Sequence, residues 1–146
     1  MNSHELAYVQ KKIWPLYEEH IKWLESRSCW SDIYSKFQKY LSNLVPTTHL
    51  VPRDGADNDM QQILSGKGQF RIAYDNDIIM KVMEACQCHE NSRKLLKKGK
   101  IKYLHTGYAL SSDSLWREHS WGVDFDNKIV ETTEPRIVYL TSFIEN

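Results

Sequence analysis

The chain has no excess charge of either sign. Nineteen basic side chains are matched by nineteen acidic ones, for a net charge of zero. A protein that follows a phosphate backbone needs a cationic surface, so nucleic acid is not an expected partner. Long apolar runs are missing too. None approaches the ~20 residues that cross a bilayer, so a membrane is not an expected partner either. The opening MNSHELAYVQKK lacks the apolar core of a secretory signal, and the expectation is a soluble, cytoplasmic protein. Cysteine is scarce: only Cys29, Cys86 and Cys88. An odd count with a C-x-C pair is a poor disulfide framework, and reduced thiols are expected. The glycines at Gly66 and Gly68 flank Lys67, but the rest of a phosphate loop is absent. No internal repeat and no low-complexity segment interrupts the chain.

What is present is an ordinary globular composition. The 146 residues are 41% hydrophobic and 26% charged, enough for one domain over 1–146 with its own core. Residues 1–45 read as the helical part. Leu6, Val9, Ile13, Leu16 with Tyr17, Ile21 and Leu24 recur at spacings of three and four, as on one face of a helix over 3–26 capped by Ser3. Pro15 falls inside that pattern and predicts a kink or break near Trp14. A second helix is expected over 28–44. Residues 46–69 form a connector punctuated by Pro46, Pro52, Gly55, Gly66 and Gly68, with a short helix over 59–64. Residues 70–146 read as the α+β core. A short strand is expected at 69–74. Residues 77–85 suit a buried strand or a buried helix. A helix runs from Cys88 to Lys98 and stops at Gly99. Four strands then follow, over 100–110, 116–125, 127–133 and 136–143. Helices first and an antiparallel sheet last, with the Cys88 helix packed on it, make an α+β fold.

Three residues in the second half can carry chemistry together. Cys88 opens a helix, where the partial positive charge of the N-terminus favours a thiolate. His119 lies in a strand, a rigid mount for a general base. Glu131 lies in the next strand, and its reach depends on the hairpin between them. A two-residue loop at Asp126-Asn127 pairs residue 125 with 128 and turns Glu131 away from His119. A three-residue loop, Phe125-Asp126-Asn127, pairs 124 with 128. It sets Glu131 opposite Trp121, diagonal to His119, about 7–8 Å away along the backbone and within side-chain reach. Asn127 tolerates the left-handed conformation that such a loop requires. The plainer alternatives are a structural cysteine, a half-buried histidine and a surface glutamate. Trp116, Arg117 and Trp121 are candidates to line a substrate cleft, with Tyr108 and Asp113 close by. Ordinary packing and a solvated turn are the alternatives for these.

The order of a cysteine at a helix start, His119-Ser120-Trp121 on a strand, and Glu131-Thr132-Thr133 on the next resembles the papain-like and transglutaminase-like superfamily. The run from Cys88 to Tyr139 also resembles short microbial and phage proteins, through the strings CHEN, GYALSSDSLWREHSWG and IVETT. The resemblance leaves the N-terminal helices uncovered. It implies a thiol hydrolase or acyltransferase with Cys88 as nucleophile, His119 as base and Glu131 as the group that orients it. The substrate would be a peptide, a protein or a small amide or ester, with no cofactor. The chain departs from that pattern in three places: the acid is Glu rather than Asp, no proline follows it, and His89 rather than an aromatic residue follows Cys88. Ser28-Cys29-Trp30 also resembles the papain-like cysteine motif and makes Cys29 a rival nucleophile. Cys86, Cys88, His89 and His105 are zinc-ligand types, but C-x-C-H is a cramped cluster and no metal site is expected. A different class of reading is a non-catalytic binding module or inhibitor, for which five tryptophans and eight tyrosines supply contact surface.

Overall fold

The computed structural model describes residues 1–27, 30–53, 55 and 57–146. The periodic segment at the N-terminus forms two helices, α1 (Ser3–Lys12) and α2 (Glu18–Glu25). The break surrounds Pro15, which cannot donate to an α-helical ladder. The cap of α1 is Asn2 rather than Ser3. Its side chain accepts from the Glu5 N–H while the Glu5 carboxylate accepts from the Asn2 N–H, a reciprocal capping box. Helix α3 (Asp32–Leu44) carries Tyr34, Phe37 and Leu41 on its buried face.

The connector contains more structure than its turn residues imply. A two-residue strand, β1 (His49–Leu50), is too short to produce a periodic signal. Helix α4 (Asp57–Gln62) continues into a wider turn, Ile63–Lys67, which ends where Gly66 takes a left-handed conformation. Strand β2 (Gln69–Ile72) follows. The ambiguous apolar segment is a strand, β3 (Ile78–Met80). It is not buried as expected: Ile79 and Met80 are exposed because β3 is the outermost strand on its side. Helix α5 (Cys88–Lys97) ends before Gly99, whose φ of 68° suits a glycine. The last four strands are β4 (Tyr103–Leu110), β5 (Leu115–Val123), β6 (Ile129–Glu131) and β7 (Val138–Glu145).

Among the described residues seven strands form one sheet in the order β2-β7-β4-β5-β6-β3, with β1 beside β5. The fold is therefore α+β. The four C-terminal strands and β2 pair antiparallel, as the hairpin-like spacing of the C-terminal strands predicts. The sheet as a whole is mixed, because β1 lies parallel to β5 and β3 parallel to β6.

Each face of the sheet is covered differently. On one face, Val9, Phe37 and Leu41 from α1 and α3 pack on Tyr108, Trp116 and Leu140. Full burial of a side chain such as Phe37 contributes about 1.5–3 kcal/mol. Further along the same face, Leu95 of α5 meets Ile101, Leu104 and Val130. Gly122 makes this approach possible, because a Cβ there would lie 2.7 Å from Ile101. On the opposite face, Trp121, Tyr139, Ala109 and Ile129 pack together where the sheet curls. Among the described residues, no helix is long and apolar enough to cross a membrane.

Candidate active site

Strand β5 has an interrupted edge. Strand β1 covers its start, opposite Leu115 and Trp116, and β6 covers its end, opposite Gly122 and Val123. Among the described residues no strand pairs with 117–121 on that edge. The N-terminus of α5 meets the sheet there. The chain turns into α5 through Cys86, which adopts a left-handed φ of 61°. Two buried or half-buried polar contacts hold the helix in register. Asn91, 1% exposed, donates to the Glu84 carbonyl and to the Thr132 hydroxyl. His89 bonds through Nδ1 to Ser120 Oγ at 3.0 Å, and Ser120 in turn bonds Thr106. Arg93 donates to the other His89 nitrogen, so Nδ1 carries the hydrogen in that contact.

The hairpin after β5 takes the three-residue form. The Asp124 N–H donates to the Lys128 carbonyl, and Asn127 has a φ of 60°. Gly122 pairs with Val130 and Val123 with Ile129, so Glu131 falls opposite Trp121 and shares a face with His119. The result is a buried polar chain. His119 Nε2 donates to both Glu131 oxygens at 2.9 Å, with the two side chains 3% and 0% exposed. Tyr139 donates to Glu131 Oε2 at 2.5 Å and accepts from the Arg136 N–H. Trp121 stacks on the imidazole, with ring centroids 5.9 Å apart.

With Nε2 committed to Glu131, the other ring nitrogen is left for the Cys88 thiol, which is hydrogen-bonded to His119. The thiol pKa is lowered. Burial pushes it up, but the hydrogen bond and charge of His119, with the N–H groups of Ser120 and His89, more than offset that. His119 moves the opposite way. Burial opposes its protonation, and Arg136 opposes it further, yet the bonds to Cys88 and Glu131 and the Glu131 charge raise its pKa overall. Both directions favour a thiolate–imidazolium pair, and the titration belongs to the pair rather than to either residue.

A groove opens beside this pair in two arms. One, of about 460 Å³, is lined by Gln87, His89, Glu90, Thr106 and Ser120, and the other, of about 450 Å³, by Val82, Met83, Arg117, Thr133, Glu134 and Arg136. Arg53, Cys86, Cys88, Glu118 and His119 belong to both. The first N–H groups of α5 have no side-chain cap and lie along this groove.

The residues expected to hold substrate separate. Arg117 lines the groove, with its guanidinium paired to Asp113 at 2.7 Å. Trp116 does not line it: it is fully buried against the helices, and its indole N–H donates to Thr48. Trp121 lies behind His119 and faces a separate hollow. Both tryptophans are drawn away from the groove by the packing that a large ring secures. Tyr108 is a core residue against Phe37. His105 lies in the hollow with Trp121, hydrogen-bonded to Thr141, and burial with the nearby Arg71 lowers its pKa to about 4. It is thus apart from Cys86, Cys88 and His89, and among the described residues no group of three such side chains converges to hold a metal. Cys29 lies outside the described residues.

Sequence reasoning missed Tyr139, Asn91 and Arg136, and it weighed His89 only as a metal-ligand type, not as the residue that ties α5 to Ser120. Asn91 was detectable as a polar residue four before Leu95, on the apolar side of α5. Tyr139 gave no signal, because strand alternation does not say which face holds a site. No family model matches the chain, and neither the curated proteins nor the solved structures compared with it include a match.

Proposed function

We propose that the protein is a thiol hydrolase or acyltransferase acting on an amide or ester carbonyl, with Cys88 as nucleophile, His119 as general base and acid, and Glu131 as the orienting carboxylate. One observation carries the reading: a buried imidazole is held through Nε2 by both oxygens of a buried glutamate while it bonds a thiol of lowered pKa. A structural cysteine needs no such partner. The papain-like and transglutaminase-like order of the three residues supports the same assignment.

The Cys88 thiolate adds to the carbonyl carbon, and the carbonyl electrons move onto oxygen. The uncapped N–H groups of the first turn of α5 receive that oxyanion, the kind of fixed donor that stabilises the transition state most. The imidazolium gives its proton to the leaving nitrogen or oxygen as that bond breaks, which leaves a thioester on Cys88. His119 then takes a proton from an attacking water or amine, the C–S bond breaks, and the thiolate is restored. Glu131 faces the charge that develops on the ring throughout.

The test is alkylation by iodoacetamide across pH in a Cys86→Ser background, followed at Cys88 by peptide mass spectrometry. The expected midpoint lies clearly below the ~8.5 of a free thiol. A midpoint at or above that value overturns the proposal. It would favour the second reading, a binding module, whose support is the exposure of Trp14, Tyr17 and Trp23 on the N-terminal helices and the turn between them.

A further inference from the structure

Three arginines line the groove arm beside Cys88 and His119, and their partners differ. Arg117 is neutralised by Asp113 at 2.7 Å. Arg53 faces Glu118 at 3.8 Å. Arg136 has no carboxylate partner among the described residues. Its Nη1 donates to the backbone carbonyl of Glu134, and its Nε is buried without an acceptor. The Arg136 charge is close enough to His119 and Tyr139 to oppose protonation of the first and favour ionisation of the second. Beside it in the same lining, Thr133 Oγ1 is also buried without a hydrogen-bond partner. A buried polar atom left unpaired destabilises the fold, so a cation and a hydroxyl left unsatisfied beside a reactive thiol need a reason.

We infer that the Arg136 arm takes a carboxylate of the substrate, so that the preferred substrate is an amide or ester bearing a free carboxylate near the carbonyl that Cys88 attacks. The inference rests on the thiol-enzyme reading above and deepens it. The guanidinium offers the donor fork that suits a carboxylate, and Thr133 adds a hydroxyl. Two things argue that the ligand is anionic. Arg117 and Arg53 already hold carboxylates of this chain at the same arm, whereas Arg136 does not. And Val82 and Met83 supply apolar wall, while the carboxylates in the lining are Glu118, taken by Arg53, and Glu134, which makes no ion pair with Arg136 among the described residues. A carboxylate would also relieve the opposition of Arg136 to the imidazolium, so that bound substrate favours the reactive ion pair.

Two alkylating probes of nearly equal size separate this from thiol activation as such. Iodoacetate carries a carboxylate, and iodoacetamide does not. Both lose iodide to the same thiolate, so the ratio of their rates cancels any change in thiolate fraction. Rates are measured at Cys88 in the Cys86→Ser protein and expressed relative to the ratio for free N-acetylcysteine. The expected ratio exceeds that of the free thiol by about tenfold, the scale of one charge-assisted contact. Arg136→Gln returns it to the free-thiol value, and Arg136→Lys restores part of it. A ratio equal to that of the free thiol in the unmutated groove, with iodoacetamide still fast below ~8.5, overturns the carboxylate site and leaves the thiol enzyme standing. A ratio unchanged by Arg136→Gln but collapsed by Arg117→Gln overturns the assignment to Arg136. Slow alkylation by both probes overturns the underlying reading instead.

Discussion

Two histidines of this chain are buried to the same degree, each with a glutamate beside it, and they differ in what holds each ring nitrogen. His49 is 3% exposed, like His119. Its Nδ1 is 2.8 Å from its neighbour's carbonyl, at Leu50, and its Nε2 lies 3.4 Å from one oxygen of Glu25, a side chain 55% exposed. His119 instead has a glutamate that is wholly buried, bonded through both oxygens at 2.9 Å and held by Tyr139 on its far side. Its remaining nitrogen meets a thiol; that of His49 meets the backbone. The lesson is that a buried histidine–glutamate pair is no catalytic signature alone. A base needs one nitrogen anchored to a group that cannot move and the other left for the nucleophile. His49 spends its second nitrogen on the fold.

The comparison can be broken most severely at the thiol. On the proposed chemistry, Cys88→Ser is expected to abolish acyl transfer and low-pH alkylation alike, with unchanged melting. Next comes His119. At pH 6, His119→Ala slows iodoacetamide at Cys88 by about a hundredfold, because an ordinary ~8.5 thiol is almost wholly protonated there. His49→Ala leaves that rate unaltered. The sign follows from the shifts: a lowered thiol gains its reactivity as pH rises through the lowered value, and removing His119 moves that point back upward.

Removing the carboxylates should separate the two pairs by stability. Glu131→Ala costs about 3–5 kcal/mol in urea unfolding, because it leaves a buried partner uncompensated. Glu25→Ala costs at most about 1 kcal/mol, since half of that glutamate faces water. The milder Glu131→Gln retains a hydrogen-bond acceptor and reduces acyl transfer by less than Cys88→Ser or His119→Ala, as expected of an orienting group. An effect between those of Glu131→Ala and Glu25→Ala sharpens the comparison: Tyr139→Phe removes one hydrogen bond to the Glu131 carboxylate and is expected to cost about 1.5–3 kcal/mol. Equal losses at Glu25 and Glu131 would erase the distinction between the two pairs.

The order of elements was readable because hydrophobic periodicity is a local property. The spacing of Leu6, Val9 and Ile13 announces α1, Pro15 announces the gap after it, and Gly99 the end of α5. The edge strand β3 was harder. Ile78 to Met80 looks like core by composition, and only its place at the rim of the sheet leaves it half in water. Strand β1 left no local trace, since two residues cannot display a period. The large rings misled for a related reason. Trp116 sits in sequence next to the groove-lining Arg117, but successive strand residues point to opposite faces, and the indole went to the helix-covered side.

By itself the sequence determined the candidates and one geometric condition: which residue types are present, which open a helix or ride a strand, and that only a three-residue hairpin lets Glu131 reach His119. Tertiary structure decided the rest. The gap on the β5 edge exists because β1 and β6, from distant parts of the chain, stop short of each other. The seating of Cys88 in that gap depends on Asn91 reaching Glu84 and Thr132, and on His89 reaching Ser120. Tyr139 joins Glu131 through strand β7, and Arg136 sits at the groove with no carboxylate partner among the described residues. These contacts bring together groups from separate strands and loops, and no local pattern encodes them. Periodicity records which side of an element faces the core, whereas a site depends on what meets it from across the fold.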